Sequence, residues 1–151
     1  MFAFDPRVEE VLRTAGWFPG RSVQTSQWVD PLVAVGYKPL RIAIGILENL
    51  GGLEIKPPLS ESNVFYPSTI IFDPVYAASS EFDRIQKWEA EYGLALFPLG
   101  EYDPSYILLC SGGGEIFGAR EQWFYFLGKS IEEALEVRIL ARRRPVRHEK
   151  P

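Results

Sequence analysis

Apolar residues fall at helical spacing through the first third of the chain, and each run carries its own start and stop signals. Val8, Val11, Leu12 and Ala15 recur every three or four positions. Asp5 stands before them as a cap, Pro6 suits the first helical position, and Glu9 and Glu10 lie at the positive end of the dipole. Gly16 offers a left-handed stop. After the connector Trp17-Phe18-Pro19-Gly20-Arg21, Ser26 or Thr25 opens a second helix through Val29, Leu32, Val33 and Val35 to Gly36. Pro31 leaves the start of that helix open, because it pushes Asp30 away from helical geometry. A third helix opens around Pro39, buries Leu40, Ile44, Leu47 and Leu50 or a neighbouring stripe, and stops at Gly51-Gly52.

Beyond Gly52 the pattern changes to short alternating or β-branched runs. Leu53-Glu54-Ile55 and Thr69-Ile70-Ile71-Phe72 read as strands bounded by prolines. Ser79 or Ser80 caps a fourth helix, with Phe82, Ile85, Trp88 and Tyr92 at helical spacing up to Gly93. Leu96-Phe97 and the run Tyr106 to Cys110 follow as strands. Ser111-Gly112-Gly113-Gly114 then turns into Glu115-Ile116-Phe117-Gly118 as a hairpin. Trp123 to Leu127 is a further strand. Ser130 and Glu133 form a capping box for a last helix running to about Ala141. Helices at both ends, strands in the middle and a tight hairpin predict one α+β domain, an antiparallel sheet with helices packed on one face. The domain is expected over residues 1–141, with residues 142–151 as a basic, mobile tail.

Composition narrows this reading. A chain of 151 residues is one ordinary domain, large enough to bury a core without metal or disulfide staples. There is no apolar run of about 18 residues to span a membrane. The start, MFAFDPRVEE, lacks a basic stretch followed by an apolar one, so no secretory signal is expected. The single cysteine, Cys110, suits a reducing cytosol, and a cytoplasmic location is expected. The chain carries 16 basic and 20 acidic residues, but the charge is unevenly placed. Its last ten residues hold Arg142, Arg143, Arg144, Arg147 and Lys150 against Glu149 alone. The remaining 141 residues therefore carry 11 basic and 19 acidic groups, a net charge of −8. Such a body repels phosphate backbones and speeds encounter with a basic partner.

The residues offer little chemistry. The lone His148 lies in the tail, where solvation is expected, so Cys110 has no histidine to activate it. One Cys and one His cannot furnish a tetrahedral zinc site. The glycines 112–114 lack the Lys-Ser/Thr of a phosphate loop and lead into a strand. No G-x-S-x-G elbow is present. No catalytic residue, metal or cofactor is expected. Trp17, Trp28, Trp88 and Trp123 read as core.

The order of motifs nevertheless resembles a known family. Gly16-Trp17-Phe18-Pro19-Gly20-Arg21 is similar to the GWxPGR signature that opens the third family of SUKH-superfamily immunity proteins. It is followed in order by Trp28, Leu50-Gly51-Gly52-Leu53, Phe72-Asp73-Pro74, Trp88, Leu96-Phe97-Pro98-Leu99-Gly100-Glu101, Trp123 and Glu132-Glu133-Ala134-Leu135. The similarity spans about residues 4–141. The hairpin Gly112-Gly113-Gly114-Glu115 departs from the single glycine frequent in that family, and the Arg-rich tail lies outside its pattern.

The resemblance implies an α+β fold and a non-catalytic protein that binds and neutralises a cognate bacterial polymorphic toxin, with nucleases and nucleic-acid deaminases among the targets. It brings no catalytic residues. The acidic body adds the expectation of a basic toxin as partner, with no nucleic acid and no membrane. Candidate contact residues are Glu81, Asp83 and Glu91 on or beside the fourth helix, and Glu101 and Asp103 near the following strand. A plain solvated surface is the alternative for each of them. A general protein-interaction or regulatory domain of the same fold is the alternative function, and an enzyme the third. A neighbouring gene ending in a toxin domain separates the first two.

Overall fold

Asp5 opens the first helix as its position predicts. In the computed structural model, which describes residues 2–103 and 105–151, its carboxylate accepts the Arg7 N–H at 2.9 Å, and Pro6 begins α1 (Pro6–Thr14). Helix α2 (Ser26–Val35) carries Pro31 inside it, and Thr25 at its start makes no side-chain cap. Helix α3 (Arg41–Leu50) buries Ala43, Ile46, Leu47 and Leu50, the stripe beside the one centred on Ile44. Two-residue strands β1 (Glu54–Ile55) and β2 (Ile70–Ile71) follow. Asp73 then accepts the Tyr76 N–H at 3.1 Å, so Asp73-Pro74 starts a short helix α4 (Pro74–Ala78) where the sequence suggested only a strand end. Helix α5 (Phe82–Tyr92) has Glu81 at its cap position, not Ser79 or Ser80, and ends at a left-handed Gly93.

The remaining elements build most of a seven-stranded antiparallel sheet whose spatial order is its sequence order. They are β3 (Leu96–Tyr102), β4 (Tyr106–Ser111), β5 (Ile116–Arg120), β6 (Trp123–Gly128), α6 (Ile131–Leu135) and β7 (Val146–Arg147). The expected single α+β domain is therefore present. Strand β3 continues past Pro98 because a bulge between Pro98 and Gly100 absorbs the irregularity. A Cβ on Gly100 would collide with the Ile71 carbonyl oxygen, so only glycine lets β2 and β3 approach here. The Ser130 hydroxyl accepts the Glu133 N–H at 3.2 Å. Glu133 reaches back to the Lys129 N–H at 2.7 Å, one residue before the cap.

Strand β3 is buried at every position except the half-buried Glu101. Trp88 and Tyr92 of α5 pack on Phe124, with ring centroids 5.9 and 4.2 Å apart. Elsewhere on the sheet, Tyr102 is covered by Arg138 and by the loop bearing Phe65 and Ser68. Helix α6 passes directly into a π-helical turn, Glu136–Leu140, which ends in a left-handed Ala141. Residues 142–151, expected to trail as a mobile tail, lie against the domain. Val146 and Arg147 pair with Phe126 and Tyr125, Arg143 meets Glu133 at 3.0 Å, and Lys150 meets Glu91 at 3.5 Å. Backbone pairing and ion pairs leave no hydrophobic pattern, so a polar segment of this kind is invisible to periodicity.

The segment from Trp17 to Val23 closes the end of α3. The last four carbonyls of a helix have no partner within it. Here Gly51 N–H serves Leu47, Val23 N–H serves Glu48, the Arg21 guanidinium serves Asn49, and Leu53 N–H serves Leu50. Arg21 also donates to the Gly51 carbonyl at 2.8 Å, which places its positive charge at the negative end of the helix dipole. Trp17 is 8% exposed and donates its indole N–H to the Asn49 side chain at 2.9 Å. These residues act in the scaffold.

Candidate functional site

The five acidic candidates divide into two groups. Glu81, Asp83 and Glu91 belong to α5, and cations already attend two of them. Arg84 stands 3.4 Å from Glu81, while Lys87 and Lys150 stand 4.0 and 3.5 Å from Glu91. Asp83 and Glu91 border a shallow depression that also contains Arg84, Lys87, Arg147 and Lys150, so its charge is mixed. Glu89, on the same helix, serves the scaffold. Its carboxylate accepts the Leu96 N–H at 2.9 Å and ties α5 to the start of β3.

Glu101 and Asp103 sit at the other end of β3. Glu101 is five residues along the strand from Leu96, roughly 16 Å at strand rise. It faces no cation at ion-pairing distance among the described residues, and neither does Asp103. Partial burial, and then the charges of Asp103 and Asp73, hold the Glu101 carboxyl above its usual range. Asp73, Glu101 and Asp103 thus form an uncompensated acidic corner beside the Gly100 bulge. The structure brings Glu101 and Asp103 together and separates them from the α5 group.

The residues weighed for chemistry are occupied otherwise. Cys110 is fully buried, and burial pushes its thiol up to about 12, so it stays protonated at neutral pH. His148 is half-buried rather than solvated. Its ring lies 5.4 Å from Tyr92 and 5.0 Å from Phe117, and its backbone N–H donates to the Phe124 carbonyl at 2.8 Å. Among the described residues, no group of three or more His, Cys, Asp and Glu side chains is placed to hold a metal ion.

One residue escaped the sequence reading. Arg138 is only 7% exposed, yet it pairs with no carboxylate among the described residues. Its guanidinium lies over the Tyr102 ring at 4.2 Å and the Phe65 ring at 4.9 Å, and one of its nitrogens donates to the Ser68 hydroxyl at 2.5 Å. Its Nε has no hydrogen-bond partner among the described residues. Burying an uncompensated cation costs on the order of several kcal/mol, and ring faces offset only part of that. The available signal was an arginine inside the apolar run Val137-Arg138-Ile139-Leu140.

Comparison with known proteins adds one match. The model of the family described as SUKH-3 immunity protein matches residues 4–140. Neither the curated proteins nor the solved structures gave a match.

Proposed function

Because the chain belongs to the SUKH-3 immunity protein family, we propose that it neutralises a cognate protein toxin by binding it directly and without catalysis. The family match over residues 4–140 is the observation that carries the reading. Cover of the toxin's active site or of an adjacent surface is sufficient for neutralisation.

The electrostatics favour a basic toxin, as a nuclease or nucleic-acid deaminase would be. With residues 142–151 lying on the domain, the folded chain carries a net charge of −4, which attracts such a partner and repels its nucleic-acid substrate. The encounter takes place in the cytoplasm, where such a toxin meets its substrate. No helix of the described residues is long and apolar enough to cross a membrane. Within the acidic surface, the corner of Glu101 and Asp103 steers more strongly than the α5 group, because Arg84, Lys87 and Lys150 already offset Glu81 and Glu91.

The test is co-purification with the product of the adjacent gene, which is expected to yield a stable complex. Failure to bind any toxin encoded beside it removes the reading. Charge reversal then proceeds in two sets, Glu101→Lys with Asp103→Lys, and Glu81→Lys with Asp83→Lys and Glu91→Lys. The first set should slow association about tenfold at low salt, and the second less, with both effects fading at high salt. An unchanged rate for both sets takes the acidic surface out of the interface.

A further inference from the structure

Arg138 borders a cleft of about 430 Å³, within the range typical of small-ligand sites. Tyr102, Tyr106 and Tyr125 line it with Phe65, and Arg144 and Asp103 contribute the other charges. No hydrogen bond to a described residue engages any of the three phenol hydroxyls; the Tyr102 hydroxyl is buried against Gly118, while the half-buried Tyr106 and Tyr125 keep theirs available as donors. The Tyr102 and Tyr106 rings stack at 5.1 Å, nearly parallel, and Tyr125 meets Tyr106 edge-on at 6.0 Å. Gly118 makes room for this arrangement, since a Cβ there would run into the Tyr102 hydroxyl oxygen.

The backbone is shaped around the same residue. The π-helical turn places Arg138 at its centre, and such turns occur often at functional sites. The turn is tied down by Asn63, whose amide donates to the Leu140 carbonyl at 2.8 Å, and by the Val64 N–H on the Ala141 carbonyl at 2.5 Å. A cation held in place with no ion-pair partner among the described residues, next to aromatic walls and the phenols of Tyr106 and Tyr125, is complementary to an anion carried on a flat apolar body.

We propose that this cleft binds an organic carboxylate with an aromatic body, its charge met by Arg138 and Arg144 and its ring by Tyr102, Tyr106 and Tyr125. The lining carries two cations and one carboxylate, a surplus of one positive charge, which suits a monoanion better than a phosphate dianion. The acidic body around it opposes more highly charged ligands further. A free aromatic acid and a peptide ending in an aromatic residue present the same chemistry. The cleft shares Asp103 with the acidic corner, but the ligand reading does not depend on the toxin reading.

The experiment titrates the full chain with benzoate, with N-acetyl-phenylalanine as a chain-terminus mimic, and with benzyl alcohol and phenyl phosphate as controls. Binding is read by calorimetry and by amide resonances. Saturable binding of at least one carboxylate is expected, with shifts confined to the neighbourhoods of residues 102, 125, 138 and 144. Tighter binding of benzoate or of N-acetyl-phenylalanine distinguishes the two sources. Benzyl alcohol should bind at least about tenfold more weakly, as loss of a charged hydrogen bond requires. Arg138→Met should weaken carboxylate binding about tenfold or more. Arg144→Gln, at an exposed position that makes a long 3.4 Å hydrogen bond to the Val64 carbonyl, should weaken it roughly threefold, with an unchanged melting temperature as the check on its fold. The proposal is overturned if neither carboxylate binds below about 10 mM. Equal affinity in the wild type and the Arg144→Gln variant also overturns it, as does tighter binding of phenyl phosphate than of both carboxylates.

Discussion

The guanidinium of Arg21 donates to the carbonyl of Asn49 at 2.7 Å, so a residue 28 positions upstream closes the end of α3. Hydrogen bonds from charged donors contribute about 1.5–3 kcal/mol each when their loss strands a partner. Arg21→Met should therefore lower unfolding stability by about 2–3 kcal/mol in urea titrations. Arg21→Lys should recover only part of that, because a single ammonium cannot reproduce the fork that spans Asn49 and Gly51.

Trp17 packs against the same helix end and touches Phe4 edge-on at 5.5 Å. Trp17→Ala should cost about 3–5 kcal/mol, the range for deleting a buried large aromatic. A loss below about 1 kcal/mol in denaturant unfolding would contradict its place in the core.

Gly100→Ala should destabilise by about 1–3 kcal/mol or more, since the new methyl group meets backbone atoms of Ile71 and Phe72 that cannot swing aside. Circular-dichroism melting is the measurement. Gly113→Ala, whose Cβ would meet nothing closer than 3.8 Å, is the control and should change little.

Glu101 gives a pH dependence of definite sign. Its folded-state affinity for a proton is raised by burial and by the charges of Asp103 and Asp73. A carboxyl of this kind costs the folded protein nothing below its ordinary unfolded value. It reduces stability as pH rises from there through the raised folded value. Glu101→Gln should thus stabilise the protein near neutral pH, by about 0.5 kcal/mol at this half-exposed site, and the gain should vanish in acid. Thermal unfolding of both proteins at about pH 7 and about pH 4 measures the difference. A gain independent of pH would assign the effect to packing instead.

The elements legible in the sequence are those whose ends carry local chemistry. Asp5 with Pro6, Ser130 with Glu133, and the glycines after Ser111 each specify their own geometry within a few residues. What escaped depends on partners distant in the chain. Pro98 and Gly100 look like strand breakers, and only β2 and β4 on either side make β3 continuous. Asp73-Pro74 ends one element and caps the next with the same two residues, and the first role masked the second. The acidic candidates were legible as residues but not as a surface, because the extended length of β3 separates them. Arg138 was hidden for the opposite reason: its meaning lies in the lack of an ion-pair partner among the described residues, which no sequence pattern displays.

Both margins of the sheet are two residues long, β1 with Glu54 beside Lys56 and β7 with Arg147 beside His148. A strand margin is a row of unused donors and acceptors on which another chain can crystallise into fibre-like order. At β7 that row is brief, charged and already engaged with Tyr125 and Phe126. The polar segment after Ala141 thereby shields the aromatic strand β6 and makes the sheet a poor template for self-assembly. The same polarity that hid β7 from the hydrophobic pattern suits it to stand at the border with water.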